Sequence, residues 1–485
     1  MSLPVQSLVD RAQASEWVNV VPGLADAVGD WVDEVGALRA RLSDEAARVA
    51  RPGLVPADRV AVHVTAAGVS RALRALTRMP GDLGSLAPVR NTQQWAMEAG
   101  IEALVDQLAL SGPASHEVAR IIAGSGNLFP APLRAELERR SIESPLIDTE
   151  TVRGVISRSI EGVSDLSEEP VTSMPVTQVH SAEMPDGRRA LVRVRRPGVS
   201  RQIRSDARLS ASGATAMNRV MPEAGGMGPI GFVELIVRYG LEATDLRFEA
   251  LNVVELGLIL EESTKTGLRV ARPLPGWVTK RVVAFEHFDG VPLQGYEGEL
   301  ADPAAAMEAI TTITLESALV HGTFWADPSA SHLMVAAGGE LVLVGAGTVG
   351  HFSNQLRRAG ITFLRSVLSG DAAGQVEAMR IAGATPAGMD VSELERELSS
   401  AEDLQVSRVL FGGEQGLLDA LAATIRILLK YDIKPPVEVA LLLRTVFALD
   451  GLAKRLQPDG GGLMASLVAM LPRLPELLAD AEDED

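Results

Sequence analysis

The chain has 485 residues, 46% of them hydrophobic and 22% charged, which is enough for two or more packed domains of an ordinary globular protein. A formal charge of −18 argues against a nucleic-acid backbone as the main partner, since phosphate binding depends on clustered Lys and Arg, though it leaves room for a local basic patch. The lack of cysteine excludes disulfides, thiolate metal sites and a cysteine nucleophile, and the low aromatic content, 4%, implies an aliphatic core.

Residues 1–105 show helical spacing, as in Val32, Val35, Leu38 and Leu42, interrupted near Pro52 and Pro80. They are expected to form a helical extension that packs on the main domain or on a partner. The start, MSLPVQSLVDRAQASEW, has neither the basic head nor the apolar core of a signal peptide. No run of about 18 uncharged apolar residues occurs, and the best candidate, Leu463 to Met470, is broken by Pro472 and Pro475. With the acidic ending AEDED, this points to a cytoplasmic protein, or one peripheral at the inner membrane.

The run SGPASHEVARIIAGSGNLFPAPLRAELERRSIESP, from Ser111, reads as helical, and 151–166 as a further helix. Strands QVHSAE and RALVRVR follow, joined by the turn Pro185-Asp186-Gly187. Alternation places Leu191, Arg193 and Arg195 on one face and Ala190, Val192 and Val194 on the other. Eight arginines lie between Arg188 and Arg208. They are expected mainly as a solvated strand and helix face, with a contact to an anion or anionic lipid as the functional alternative.

ELIVRYGLEATDLRFEALNVVEL reads as one helix with Asp245 and Glu249 four apart on one face. The strand TKRVVAFEHFDGVPL turns at Asp289-Gly290, and helices from Ala304 to Val320 lead to the most informative stretch, His321 to Gly350. There the polar loop ADPSASH runs into a hairpin, LMVAA and ELVLV flanking Gly338-Gly339, a pair suited to the positive φ angles of a two-residue turn. Helical segments such as QLRRAGITFLRSVLSG and VEVALLLRTVFALDGLAKRLQPD complete the chain.

These motifs, in this order over about three-quarters of the chain, resemble the UbiB/ADCK (AarF-type) atypical kinase-like family. In the family the central stretch is written roughly GFFHADPHPGNLLV…GRLVLLDFGMVG. The resemblance puts Asp327 on the catalytic-loop Asp, His332 on the metal-binding Asn and Gly345 on the Asp of DFG. It puts Glu117, Val118, Ala119 and Arg120 on the KxGQ motif that projects into the nucleotide cleft, and Arg193 on the phosphate-binding Lys. Thr172-Ser173-Met174-Pro175 stands in the Ala-rich loop, and Asp245, Glu249 and Asn252 match a helix whose acids engage the two lysines. Glu249 with Arg193 is the expected surviving ion pair.

The resemblance implies an α+β, protein-kinase-like two-lobed fold. The divisions expected are 1–105, a helical extension; 106–285, the KxGQ-like segment and a β-rich N-lobe; and 286–485, a helical C-lobe with an acidic tail. Gly345 offers no side chain and the His332 imidazole is a poor magnesium ligand, so the magnesium site is expected to be lost and ATP or ADP to be at most a residual ligand. The expected function is that of a pseudokinase, regulatory or scaffolding, in isoprenoid-quinone or membrane-lipid metabolism. Its partner would be an intact homologue or a membrane protein, with peripheral lipid contact as an option. The alternative is an active atypical ATPase, with Asp327 as base and a rearranged nucleotide clamp of Arg193 and Glu249. The chain contains no G-x-S-x-G, H-E-x-x-H, Walker A or dinucleotide fingerprint, and its scattered histidines suggest no metal centre.

Overall fold

The computed structural model describes residues 5–51, 104–123, 131–140, 144–220, 228–386, 388–401 and 435–457, with scattered positions between them. The segment from Leu463 to Met470 and the acidic tail lie outside the described residues, as do 54–100. Among the described residues no helix is long and apolar enough to cross a membrane.

Three helices open the chain: α1 (Val5–Ala14), α2 (Glu16–Asn19) and α3 (Leu24–Val49). After them come α4 (Pro113–Ala123), α5 (Ala131–Arg140) and α6 (Thr149–Ser157). The N-lobe sheet is antiparallel and built from β1 (Thr172–Ser173), β2 (Thr177–Glu183), β3 (Arg189–Arg195), β5 (Pro273–Val278) and β6 (Val282–Glu286), in the order β1-β2-β3-β6-β5. The Pro185-Asp186-Gly187 turn forms as expected, with Gly187 at φ 82°. Since β3 is central it is covered on both faces. Arg193, which a solvated edge strand would have exposed, is only 1% accessible.

The run expected as one helix is two. α7 (Val199–Val220) leads to α8 (Gly228–Glu242), and α9 (Leu246–Ser263) starts afresh because the Asp245 carboxylate caps its first turn. Helix α9 is buried from Phe248 to Leu260, between the sheet on one side and α1–α3 on the other.

A second sheet joins β4 (Leu268–Val270), β7 (Gly290–Pro292), β9 (Leu333–Ala336) and β10 (Leu341–Leu343) in the order β4-β10-β9-β7. The hairpin of β9 and β10 is present, but its loop is three residues, not two. Ala336 N donates to Glu340 O at 2.9 Å, and only Gly339, at φ 80°, takes the left-handed conformation. Helix α10 (Pro303–Thr311) runs through a π turn, Thr312–Glu316, into α11 (Ser317–Val320). β8 (Thr323–Trp325) pairs with β11 (Val349–His351), and α12 (Asn354–Ser369), α13 (Ala372–Ile381), α14 (Val391–Ser400) and α15 (Val437–Leu456) form the helical lobe.

The first fifty residues are not a separate layer. Leu24, Val28, Val32 and Val35 share one core with Val192 and Val194 of β3 and Val253 and Leu256 of α9. Ion pairs Arg11–Glu262 (2.7 Å), Arg247–Glu34 (2.7 Å) and Arg204–Glu45 (2.5 Å) run along the seam. Arg39 Nη1 lies 3.5 Å from His351 Nε2, which in turn stands 3.2 Å from the buried Glu255. Burial opposes charge on Glu255, but His351 and Arg39 outweigh it and hold the carboxyl down at about 2.

The tightest point of the seam is Trp17, whose ring sits where a Cβ on Gly257 would stand. Gly257→Leu should therefore cost about 1–3 kcal/mol in urea unfolding. Combined with Trp17→Ala it should cost less than the sum of the two single losses, because the smaller side chain vacates the space.

Candidate functional site

The site is best built outward from Arg193. Its strand aims it across the sheet toward α9, where Glu249 sits one turn past the Asp245 cap. Arg193 Nη1 is 3.4 Å from Glu249 Oε1, Nη2 donates to Val344 O at 3.1 Å, and Nη1 also approaches Met174 Sδ at 3.7 Å. Nε has no partner. Burial pulls the guanidinium below its ordinary pKa, and Glu249 pulls it back up. Met174, from the segment in place of the Ala-rich loop, is itself buried and closes that side.

The segment Val344-Gly345-Ala346-Gly347 wraps this pair. Val344 N donates to His332 O at 2.9 Å, Trp325 Nε1 to Ala346 O at 2.7 Å, Gly347 N to Glu249 Oε1 at 3.3 Å, and Asn252 Nδ2 to Gly347 O at 3.3 Å. A Cβ on Gly345 would overlap Glu249 Oε1 and Arg193 Nη2 and come within 2.8 Å of Arg193 Cζ. The space needed by a carboxylate at residue 345 is thus taken by the Arg193–Glu249 pair. On Gly347, a Cβ would fall 2.7 Å from His332 Nε2.

Asp327 is the second centre. Both its oxygens are occupied: Arg120 donates to Oδ1 at 3.0 Å and Oδ2 at 2.8 Å, Arg444 Nη2 donates to Oδ1 at 2.9 Å, and His332 Nε2 lies 3.2 Å from Oδ2. The last bond puts the imidazole proton on Nε2 and leaves Nδ1 buried without a partner. Arg120 arrives from α4 and is steadied by Glu117 one turn earlier on the same helix, the pair bonding twice, once at 3.0 Å. Arg444 arrives from α15 and also donates to Ala326 O at 3.2 Å. Burial opposes ionisation of Asp327, but Arg120, His332 and Arg444 outweigh it and hold the carboxyl well below the usual range.

Seven of the eight residues expected at the site therefore converge: Glu117, Arg120, Arg193, Glu249, Asp327, His332 and Gly345. Asp245 does not. It spends its carboxylate on the α9 cap and on Arg247, at 3.0 and 2.9 Å, and faces the α3 seam instead of the cleft. Arg444 and Met174 were not anticipated as site residues. For Arg444 the signal was present, a lone charge in the apolar run VALLLRTVF, where a buried ionic partner is the ordinary requirement.

The arrangement does not fit the magnesium nucleotide that a kinase cleft holds. Magnesium needs hard oxygens with free lone pairs. Here Asp327 already accepts four bonds, Glu249 faces a guanidinium and a backbone N–H, and no room exists for an oxygen ligand at Gly345. Among the described residues no group of three or more His, Asp or Glu converges as a metal site.

Two consequences are measurable. Asp327→Asn strips the charge that two buried arginines rely on and should cost about 3–5 kcal/mol at neutral pH. A depressed carboxylate pKa contributes stability that is complete above the unfolded value of about 4 and is lost as pH falls through the folded value. The gap between wild type and Asp327→Asn in urea titrations should thus narrow as the pH drops below about 4. Separately, Gly345→Asp should cost about 1–3 kcal/mol through overlap, and the double variant with Arg193→Lys should lose less than the sum, since the slimmer ammonium vacates part of that space.

Residues 155–379 match the ABC1 atypical kinase-like domain. An uncharacterized protein of Synechocystis sp. is 22% identical over 382 residues, covering 75% of this chain and 65% of that protein. An uncharacterized protein of Mycobacterium tuberculosis is 24% identical over 429 residues, 83% of each chain. A probable protein kinase UbiB of Marinobacter nauticus is 28% identical over 192 residues, 38% of this chain and 34% of its own length. The alignments thus span just under two thirds of the cyanobacterial relative and about one third of the Marinobacter protein. The Rv3197–erythromycin complex of M. tuberculosis superposes at a TM-score of 0.41 with 18% identity, over 72% of this chain and 95% of that one. With a mixed, two-lobed kinase-like fold and motifs in collinear order, residues 155–379 are an ABC1 atypical kinase-like domain of the UbiB/ADCK family.

Proposed function

We propose that the chain is a pseudokinase of this family, one that keeps the two-lobed scaffold for binding and regulation and has given up phosphoryl transfer. The observation that carries the reading is the filling of the cleft by the protein's own ions. The Arg193–Glu249 pair occupies the place of a DFG carboxylate, and Asp327 is saturated by Arg120, Arg444 and His332. Phosphoryl transfer relies on positioning and on metal neutralisation of developing charge. A base whose lone pairs are all engaged cannot take a proton from a substrate hydroxyl until α4 withdraws Arg120.

The family tie supports a setting in isoprenoid-quinone or membrane-lipid metabolism, with an intact homologue or a membrane protein as the partner. That Asp327 is retained favours the rival reading of residual ATPase activity. Against it stands the use of Asp327 as an anchor for three separate segments, which is reason enough for an acid at that position.

The deciding experiment is calorimetry and thermal shift on the purified protein with ATP and ADP, with and without magnesium. The expected result is no binding and no rise in unfolding temperature at millimolar nucleotide. Magnesium-dependent binding at micromolar strength, with hydrolysis abolished by Asp327→Asn, would overturn the proposal. Binding that ignores magnesium would recast the protein as a nucleotide sensor.

A further inference from the structure

The eight arginines between Arg188 and Arg208 separate in three dimensions. Arg188 pairs with Asp186 at 2.6 Å, Arg189 with Asp165 at 3.6 Å, and Arg193 lies in the cleft. Arg196 is spent on Met174 O, Pro145 O and the Ser173 hydroxyl, at 2.8, 2.6 and 2.8 Å. Arg195 and Arg204 go elsewhere. They meet Arg48 on the last turn of α3 and Lys280 and Arg281 on the turn between β5 and β6.

The backbone fixes this meeting. Arg195 N donates to Arg281 O at 2.9 Å, and Leu246 N to Lys280 O at 3.2 Å, so the turn is stapled to β3 and to the start of α9. Glu45 is the carboxylate that bonds into the group, and Asp245, nearby, is already bound to Arg247. Glu45 bonds Arg204 at 2.5 Å and is held below its usual pKa by that bond, against the cost of burial and with help from Arg48 and Lys280 through space. Arg195 is half-buried and its guanidinium contacts only a backbone carbonyl, Thr244 O, at 2.5 Å. Arg48, Lys280 and Arg281 are exposed and, among the described residues, form no ion pair.

Five cations from four elements thus gather around Glu45, with Asp245 at the edge, in a chain with 63 acidic and 45 basic residues. Arg48 alone has a plain explanation, since a cation is favoured at a helix C-terminus. The others repel one another. Burial, then Arg281 and Arg204, lower the pKa of Arg195, and only the nearby Asp245, already bound to Arg247, opposes them. A half-buried cation that bonds only a backbone carbonyl, ringed by exposed cations, has the charge and the geometry to receive a multivalent anion.

We propose that this corner of the N-lobe binds a multiply charged phosphate, carried on a lipid headgroup or a soluble oligophosphate, with Arg195 at its centre and Arg48, Lys280 and Arg281 around it. The planar fork of Arg195 suits two phosphate oxygens at once, and the flexible outer cations adapt to the remaining charge. The site is separate from the cleft and does not depend on whether the protein is a pseudokinase.

The test uses the full chain, with tripolyphosphate in calorimetry and with phosphatidylcholine vesicles, with or without phosphatidic acid, whose phosphomonoester is multiply charged, in co-sedimentation. The wild type should bind tripolyphosphate or the anionic vesicles at low salt, and more weakly as salt rises. Lys280→Glu with Arg281→Glu, whose side chains make no hydrogen bond or ion pair among the described residues, should weaken that binding by about tenfold or more while leaving the unfolding midpoint in place. Arg195→Gln is the second variant and should do the same. A response to tripolyphosphate identifies a soluble phosphate, and a response to anionic vesicles alone identifies a headgroup. Failure to bind either probe, undiminished binding by the charge-reversed chain, or binding of poly-glutamate in place of both would overturn the proposal.

Discussion

A guanidinium buried on a central strand must find a counter-charge and a place to lie flat, and much of the cleft follows from how Arg193 meets those two needs. Glu249 supplies the charge, and breaking such a pair in a dry interior costs several kcal/mol. Val344 O supplies the second acceptor. Because the group is planar and wider than an ammonium, it reaches past Glu249 to the backbone of the next segment and leaves residue 345 without space for a side chain. The glycine there is the residue that the arginine's reach leaves room for.

The same economy runs through the second centre. Arg120, Arg193 and Arg444 are matched by Glu117, Glu249 and Asp327, so the interior of the cleft is close to neutral without any guest. A cleft meant for a triphosphate has the opposite requirement, a surplus of positive charge that the ligand and its metal bring into balance. Here the cations are already committed. Asp327 also ties α4 to the body of the protein. That helix packs into a small core of its own with α5, around Ala119, Ile122, Leu133 and Leu137, and meets the cleft through Arg120.

Much of this was legible in the sequence, because the family's motifs are collinear and each carries a distinct chemistry. The hairpin after the ADPSASH loop is written in the residues themselves, while the two lobes, the Arg193–Glu249 pair and the altered metal positions follow from the resemblance carried over residue by residue. The remainder depended on three-dimensional facts that no local pattern states. Asp245 looked like a partner of Glu249 because they are four apart on a helix, yet a cap residue points back to its own helix start. The Gly-Gly pair suggests a two-residue hairpin loop, but the ladder closes at Ala336 and Glu340, outside both glycines. The N-terminal helices gave no motif, and their place in the main core rests on long-range packing such as Trp17 against Gly257.

The contact between Arg193 and residue 345 also sets an order on substitution. A carboxylate at 345 and an arginine at 193 exclude each other, so an acid at 345 is accommodated only once residue 193 carries a smaller group. A lysine at 193 alone leaves space beside Glu249. Asp327 adds a further condition, because its oxygens stay engaged until Arg120 and Arg444 also change. The steric fit of one glycine therefore acts as a ratchet between these positions, since only one order of single changes avoids driving a carboxylate into the guanidinium.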